Sequence, residues 1–180
     1  MSKSNLLKEL YSNIGTTGAL TFSSKSLVKK MLSYSELSKA KLIVELGGGD
    51  GSITQGIIDR MGEESELLVF EINPSFCKAM EAQFPQENVR VINDSAENID
   101  LYLKGRSADY VLSSLPFTLI PKEATDQILI KSKNALTPEG KFIQICYSYL
   151  LKNLFKKYFD SVEANFTLKN FPPAFVMVCR

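Results

Sequence analysis

The feature that most constrains this chain is a glycine-rich turn, Glu45–Gly51, between a short apolar run and a helix-like segment. The run Leu42–Glu45 is typical of a buried strand, and a helix is predicted to begin directly after the turn, at Ser52. Gly47 permits a tight bend, and Gly49 and Gly51 let a ligand and the helix approach the backbone without a clash from Cβ atoms. The order of strand, glycine turn and helix therefore predicts a ligand site at the turn.

The glycine spacing indicates which ligand fits. A dinucleotide-binding fingerprint would need its third small residue at Ser52, whereas the last glycine of this turn is Gly51. The turn therefore suits a pyrophosphate poorly and favours a methionine tail joined to adenosine. Roughly 20 residues later a predicted strand over residues 66–72 contains Glu71, which can accept hydrogen bonds from both ribose hydroxyls. The alternative is a glycine turn with a chance surface glutamate.

A second acidic residue follows the strand predicted at Val89–Ile92. Asp94 lies at the carboxyl end of that strand, where its carboxylate can accept the exocyclic amine of adenine. The alternative is that Asp94 only caps the short helix predicted at Ala96–Leu103. The sequence leaves both roles open.

Predicted strands and helices alternate along the middle of the chain, which is typical of a parallel sheet with helices on both faces. Two strands, Val162–Leu168 and Ala174–Cys179, follow each other without a helix and are expected to be antiparallel neighbours. The other predicted elements are strands at Tyr110–Leu115 and Lys141–Tyr147, helices at Ser52–Met61, Lys122–Leu136, Leu150–Phe159 and from Pro74 to just before Pro85, and a turn at Thr137–Gly140.

The first 38 residues are predicted to form a helical segment that precedes a sheet domain of residues 39–180. An amphipathic helix is expected at Asn5–Ile14, and Ser23 or Ser24 can cap a second helix. The segment is expected either to close the ligand pocket or to lie in a membrane interface.

Composition excludes several kinds of site. The chain has no histidine, which excludes a Ser-His-Asp triad and a histidine-ligated metal. Its three cysteines show no CxxC spacing, so no metal is expected. The net charge of +1 gives no strong attraction to nucleic acid. Because no secretory signal or membrane-spanning apolar run is present, a cytoplasmic protein is expected.

These motifs resemble those of the class I S-adenosylmethionine-dependent methyltransferases, and the resemblance covers almost the whole chain. It implies an α/β fold with a Rossmann-like, seven-stranded, mostly parallel sheet, an antiparallel last strand and helices on both faces. It also implies S-adenosyl-L-methionine as the cofactor. The cofactor-binding residues expected are Thr17, Gly18, Glu45, Gly47, Gly49, Gly51, Glu71, Ile72, Asp94, Ser95 and Ser113.

The loop Ser113–Phe117 is expected to border the transferred methyl group, because ligands of such sheets bind at the carboxyl ends of the strands. Methyltransferases that act on adenine amino groups typically have Asn or Asp where this chain has Ser114, which disfavours a nucleobase acceptor. Ser114, Tyr11 and Tyr147 are expected to receive the proton of the amine or to orient it, and Phe117 and Tyr147 to hold the methylated cation. The catalytic residues expected are Ser114, Leu115, Pro116, Phe117, Tyr11 and Tyr147.

Four stretches also resemble the bacterial phospholipid N-methyltransferases, which share several motifs with the rRNA adenine dimethyltransferases. This resemblance implies methylation of the amine of phosphatidylethanolamine or a related amino lipid. No RNA-binding helical domain is expected after the last strand, which disfavours nucleic acid as a partner. The alternatives are an RNA adenine N6-methyltransferase, a small-molecule amine methyltransferase and a non-catalytic binding module. The four stretches are Thr17–Val28, Ser114–Phe117, Phe142–Tyr147 and Asn170–Ala174.

A lipid substrate would require contact with a membrane surface. Met1–Leu20 is expected to be the membrane element of a peripheral enzyme on the inner face of the membrane. Two lysine clusters are either solvated helix faces or contacts for anionic lipid phosphates. The clusters are Lys25, Lys29 and Lys30, and Lys152, Lys156 and Lys157.

Overall fold

The computed structural model describes residues 24–170 and 172–180, which form a seven-stranded sheet flanked by helices. The strands are β1 (Leu42–Leu46), β2 (Glu66–Phe70), β3 (Val89–Ile92), β4 (Ala108–Ser113), β5 (Leu136–Cys146), β6 (Val162–Thr167) and β7 (Ala174–Cys179). The helices are α1 (Lys25–Leu32), α2 (Ser52–Ile58), α3 (Pro74–Gln83), α4 (Ile99–Leu103), α5 (Lys122–Ala135) and α6 (Leu151–Phe155), with 3₁₀ turns at Leu37–Lys39 and Ala96–Asn98.

The strand order is β3-β2-β1-β4-β5-β7-β6. Strands β1 to β5 pair in parallel, and β7 runs antiparallel to both of its neighbours, β5 and β6. The predicted fold class is therefore confirmed, including the antiparallel last strand. Because six strands run in one direction, their carboxyl ends and the start of β7 share one edge of the sheet. The glycine turn after β1 and the loop after β4 lie side by side at that edge.

Helices cover both faces of the sheet. Side chains of α1, α2 and α3 pack on one face with Ile43 of β1, and those of α4, α5 and α6 pack on the other with Val44. All five residues of β1 are buried, as expected for a central parallel strand covered on both faces. Ser24 caps α1 as predicted, since its Oγ accepts a hydrogen bond from the Leu27 amide at 3.2 Å. The helix predicted at Asn5–Ile14 lies outside the described residues.

The turn predicted at Thr137–Gly140 lies within the span of β5, where these four residues have no partner in β4. These residues belong to β5, whose pairing with β4 shifts register between Ala108 and Tyr110. Gly140 folds back on this segment, since a Cβ atom there would lie 3.0 Å from the backbone nitrogen of Thr137. The pairing of β5 with β4 continues on both sides of these residues, at Leu136 and at Lys141. The turn-forming residues are therefore an irregularity within one paired strand.

Several predicted elements end earlier than expected. The helix predicted at Leu150–Phe159 extends only over Leu151–Phe155, although Phe159 is still buried. The strand predicted to end at Leu115 ends at Ser113, where the chain turns into the loop above β4. Among the described residues, no helix is long and apolar enough to cross a bilayer.

Candidate active site

The turn after β1 and the loop after β4 touch each other at the carboxyl edge of the sheet. Gly47 has a φ of 83°, and a Cβ atom there would lie 3.1 Å from the Leu115 side chain and 3.2 Å from Ser114 Oγ. Only glycine tolerates both this backbone conformation and this approach. Two residues later, Gly49 has a φ of 55° and open space around the position of a Cβ atom. The turn is thus packed against the loop at one end and free to meet a ligand at the other.

Two adjoining cavities open at this edge, and Gly47, Glu71 and Leu115 line both of them. The space enclosed at each, which includes open solvent, is about 370 and 380 Å³. The first cavity is also lined by Phe70, Ile72, Asp94, Ser95, Ala96, Ile120 and Ile128. The second is also lined by Gly49, Asn73, Phe76, Ser114 and Pro116.

Glu71 joins the two cavities and is fixed by the backbone. Its Oε2 accepts a hydrogen bond from the Gly49 amide at 2.9 Å, and its Oε1 accepts one from the Asn73 amide at 2.8 Å. Burial raises the pKa of this carboxyl, although both backbone hydrogen bonds act in the opposite direction. Each oxygen of an ionised carboxylate keeps further acceptor capacity, so Glu71 can also accept from ligand hydroxyls.

Asp94 combines a structural role with a position at the first cavity. Its Oδ1 accepts hydrogen bonds from the Ser95 amide at 2.7 Å and from Asn98 Nδ2 at 3.0 Å. Its Oδ2 accepts one from the Tyr102 hydroxyl at 2.9 Å. The carboxylate therefore holds the segment after β3 in place, and it also lines the cavity with Ser95. The alternative that Asp94 caps the following helix is wrong, because the cap is Ser95, whose Oγ accepts from the Glu97 amide at 3.2 Å. The contact of Asp94 with adenine stays a prediction.

Glu45 lies beneath the glycine turn and lines neither cavity. Its side chain is buried, with Oε2 accepting a hydrogen bond from Thr54 Oγ1 at 2.8 Å and Oε1 having no hydrogen-bond partner. Burial, with a smaller contribution from the charge of Glu71, raises the pKa of this carboxyl to about 8. In the described structure Glu45 links β1 to α2, and its predicted contact with the cofactor stays a prediction.

The loop after β4 is held from several sides. Ser114 Oγ donates a hydrogen bond to the Gly47 carbonyl at 2.8 Å, and the buried Ser113 Oγ accepts one from the Leu115 amide at 3.3 Å. Phe117 lines neither cavity, because its ring is buried and packs edge-on against Phe155 at 5.7 Å between centroids. The structure gives Phe117 a packing role, and its contact with a methylated cation stays a prediction.

The remaining predicted residues fall into two groups. Tyr147, which is 43% exposed just beyond the carboxyl end of β5, lines neither cavity. Gly51, the N-cap of α2 with a φ of 79°, also lines neither of them. Tyr11, Thr17 and Gly18 lie outside the described residues. The predicted residues that the structure brings together around the cavities are Gly47, Gly49, Glu71, Ile72, Asp94, Ser95, Ser114, Leu115 and Pro116.

Sequence reasoning missed several lining residues. Asn73 caps α3 and donates its backbone N–H to Glu71, a position that the sequence signals by placing Pro74 next to it. Phe76, in the first turn of α3, carries no signal that distinguishes it from a core aromatic residue. Within residues 24–170 and 172–180, no group of three or more His, Cys, Asp or Glu residues could hold a metal ion.

The geometry predicts that Glu71 anchors S-adenosylmethionine. Replacing Glu71 by Ala removes acceptors for ligand hydroxyls, and we expect binding measured by calorimetry to weaken by about 1.5–3 kcal/mol. Glu66→Ala is the matched control, because Glu66 lies at the opposite end of β2 and pairs with Arg106. Equal losses in the two variants, or tight binding of NAD in place of S-adenosylmethionine, would contradict the assignment.

The buried carboxyl of Glu45 predicts a pH-dependent stability. Its pKa is raised from 4.5 to about 8 in the folded protein, so over this interval the unfolded chain loses the proton first. The free energy of unfolding should therefore fall as the pH rises from 4.5 to about 8. Glu45→Gln keeps the size but cannot ionise, and urea denaturation across this interval should show a smaller fall than in the wild type. Identical pH profiles would show that Glu45 is ionised in the folded state.

The chain matches known methyltransferases. The family model described as "Methyltransferase domain" matches residues 43–140. The ornithine lipid N-methyltransferase of Singulisphaera acidiphila is 32% identical over 146 residues, which cover 78% of this chain and 76% of that protein. The ribosomal RNA small subunit methyltransferase A of Mycoplasma mycoides is 25% identical over 111 residues, which cover 59% of this chain but only 39% of that protein.

Solved structures confirm the fold. A Burkholderia thailandensis 1,6-didemethyltoxoflavin-N1-methyltransferase, with bound S-adenosylhomocysteine, has a TM-score of 0.75 at 14% identity and covers 98% of this chain and 87% of its own. A putative rRNA methylase from Clostridium thermocellum has a TM-score of 0.68 at 19% identity and covers 89% and 96%. Glu71 and Asp94 supply acceptors beside the open glycine turn, which fits an adenosine with its ribose hydroxyls and amine. The chain therefore belongs to the methyltransferase-domain family and is a class I S-adenosylmethionine-dependent methyltransferase.

Proposed function

We propose that this enzyme methylates the amine of an amino lipid by direct displacement. The observation that carries the proposal is the similarity to an ornithine lipid N-methyltransferase, which spans about three quarters of both chains. The similarity to the mycoplasmal rRNA methyltransferase is weaker and spans only 39% of that protein. Phosphatidylethanolamine and ornithine lipids both present a primary amine, which is the shared chemistry of the acceptor.

Ser114 supports an amine acceptor. It stands where methyltransferases of adenine amino groups typically have Asn or Asp, and it lines the second cavity. Its hydroxyl proton is directed to the Gly47 carbonyl at 2.8 Å, so the lone pairs of Oγ remain to accept a hydrogen bond. An amine donates such a bond, and accepting it would orient the nitrogen toward the cavity.

The reaction is a direct displacement, so it needs no covalent intermediate on the enzyme. S-adenosylmethionine supplies an electrophilic methyl group. A lipid ammonium group has a pKa near 10 and must lose a proton before its nitrogen can attack. In this proposal Ser114 orients the neutral amine. Tyr147 and Tyr11 are the other groups predicted to receive the proton of the amine or to orient it. The loop between β4 and α5 aligns the nitrogen, and such alignment is the main source of rate.

An acceptor assay separates the candidate functions. We expect radiolabel from S-adenosylmethionine to appear in phosphatidylethanolamine or ornithine lipid in mixed micelles, because both offer a primary amine. Glu71→Ala should lose this activity at a limiting cofactor concentration. Label in rRNA alone would assign an RNA methyltransferase. Label only in ethanolamine or free ornithine would assign a small-molecule acceptor, and no transfer to any acceptor would favour a binding module.

An exposed apolar surface at the carboxyl edge suits contact with lipid. It comprises Tyr149, Leu150, Phe166 and Leu168, which are 53%, 75%, 53% and 74% exposed. The ring of Phe175 packs against both aromatic residues, with its centroid 5.5 Å from that of Tyr149 and 5.1 Å from that of Phe166. Tyr149 and Leu150 follow β5, Phe166 and Leu168 lie at the end of β6, and Phe175 lies at the start of β7. The surface therefore lies at the same edge of the sheet as the two cavities.

The charge around this apolar surface supports the same partner. Residues 147–157 include Lys152, Lys156 and Lys157 and no acidic residue, and Lys152 lies 5.6 Å from the Tyr149 ring. Aromatic and leucine side chains flanked by lysines favour an anionic membrane interface. Ser24, the first residue that the structure describes, donates a side-chain hydrogen bond to the Lys169 carbonyl beside this surface. We propose that the enzyme is cytoplasmic and peripheral on the inner face of the membrane.

Vesicle co-sedimentation tests the membrane contact. The wild type should bind anionic vesicles, and binding should weaken with salt because exposed charges are screened beyond about 10 Å at 0.1 M. Leu150→Ser with Lys152→Glu should reduce binding, whereas Leu101→Ser, an exposed leucine on α4, is the matched control.

The same assay locates the main anchor. Deleting the residues before Tyr11 should remove most of the binding and leave the fold intact. Equal binding by the truncated and full-length proteins would move the anchor to the apolar surface and its lysines. If neither protein binds, a soluble amine becomes the better acceptor.

A further inference from the structure

Gln144 is a polar residue in the buried core of the sheet. It lies in β5 between Ile143 and Ile145 and has no exposed surface. Its Nε2 donates hydrogen bonds to the Leu115 carbonyl at 3.0 Å and to the Ile145 carbonyl, while Oε1 is buried without a hydrogen-bond partner among the described residues. A buried acceptor without a partner lowers the stability of the fold, so its oxygen is destabilising at this position.

The partner of Gln144 belongs to the site. Leu115 lines both cavities, and its carbonyl also accepts the Phe117 amide at 3.0 Å. On its other side the loop is tied to β1, because the Ser114 amide donates to the Leu46 carbonyl at 3.1 Å and Ser114 Oγ donates to Gly47. Gln144 is thus the side chain that ties the same loop to β5.

We propose that Gln144 is a positioning residue for methyl transfer. By holding the Leu115 carbonyl in the core, Gln144 fixes the peptide next to Ser114. The position of this peptide in turn sets the distance between the acceptor amine and the cofactor site. It touches neither substrate nor cofactor, since it lines neither cavity. The expected effect on turnover rests on the proposed function, because it requires that an amine reacts at this loop.

Ser132 provides a matched comparison. It is also fully buried with an oxygen that has no hydrogen-bond partner, but it lies in α5 and is not part of the loop. Replacing either residue by an apolar one removes a buried unpaired oxygen. Ser132→Ala should therefore leave the melting temperature unchanged or higher, whereas a change at Gln144 also removes the donors to the Leu115 and Ile145 carbonyls and should loosen the loop.

The experiment compares Gln144→Met with Ser132→Ala. Gln144→Met keeps the chain length but removes both donors. We expect faster amide hydrogen exchange at Leu115 and Phe117, unchanged exchange in β1 and an unchanged KM for S-adenosylmethionine. With an amino lipid as acceptor, kcat should fall about 10- to 100-fold, as expected for a misplaced reacting group. Ser132→Ala should change none of these quantities.

A second variant guards against a folding defect. Gln144→Glu can still donate one hydrogen bond to Leu115 when its carboxyl is protonated, which burial favours. Its kcat relative to wild type at the same pH should therefore be highest at low pH and fall as the pH rises. Unchanged loop exchange in Gln144→Met, or faster exchange with wild-type kcat, would overturn the proposal. An inactive wild type would refute the lipid acceptor, and the exchange data would still decide whether Gln144 holds the loop.

Discussion

The position of β1 between β2 and β4 is the constraint on which the site depends. After β1 the chain enters α2 on one face of the sheet, and after β4 it enters α5 on the other face. The two connections therefore separate above adjacent strand ends and leave a crevice, which is the usual ligand site of open parallel sheets. Gly47 allows the connections to touch at the base of this crevice, and Glu71 closes it on the β2 side.

Two buried glutamates show how the same residue type serves different purposes at this edge. Burial raises the pKa of both, but Glu71 receives hydrogen bonds from the Gly49 and Asn73 amides, which stabilise its charge. Glu45 accepts hydrogen bonds from Thr54, but burial outweighs them and raises its pKa to about 8. Glu71 is thereby suited to accept from a ligand, whereas Glu45 joins β1 to α2 beneath the turn.

The sequence predicted the parts of the site that depend on strand ends. Glu71 and Asp94 were located because an acid after a parallel strand must lie at the carboxyl edge, whatever its side-chain contacts. Side-chain direction was not predictable in this way: Phe117 belongs to the expected loop, yet its ring packs with Phe155 in the core. Gln144 was visible only as one polar residue in an apolar strand, since its partner Leu115 is brought near by the pairing of β4 with β5.

A crystal structure with S-adenosylhomocysteine tests the central claim most directly, because it shows which residues surround the ligand. The ribose hydroxyls should lie within hydrogen-bond distance of the Glu71 carboxylate, with the adenine in the cavity beside Asp94 and the homocysteine sulfur facing the loop at Ser114. A ligand that lies elsewhere on the molecule, or a ribose that does not contact Glu71, would contradict the assignment of this crevice as the cofactor site.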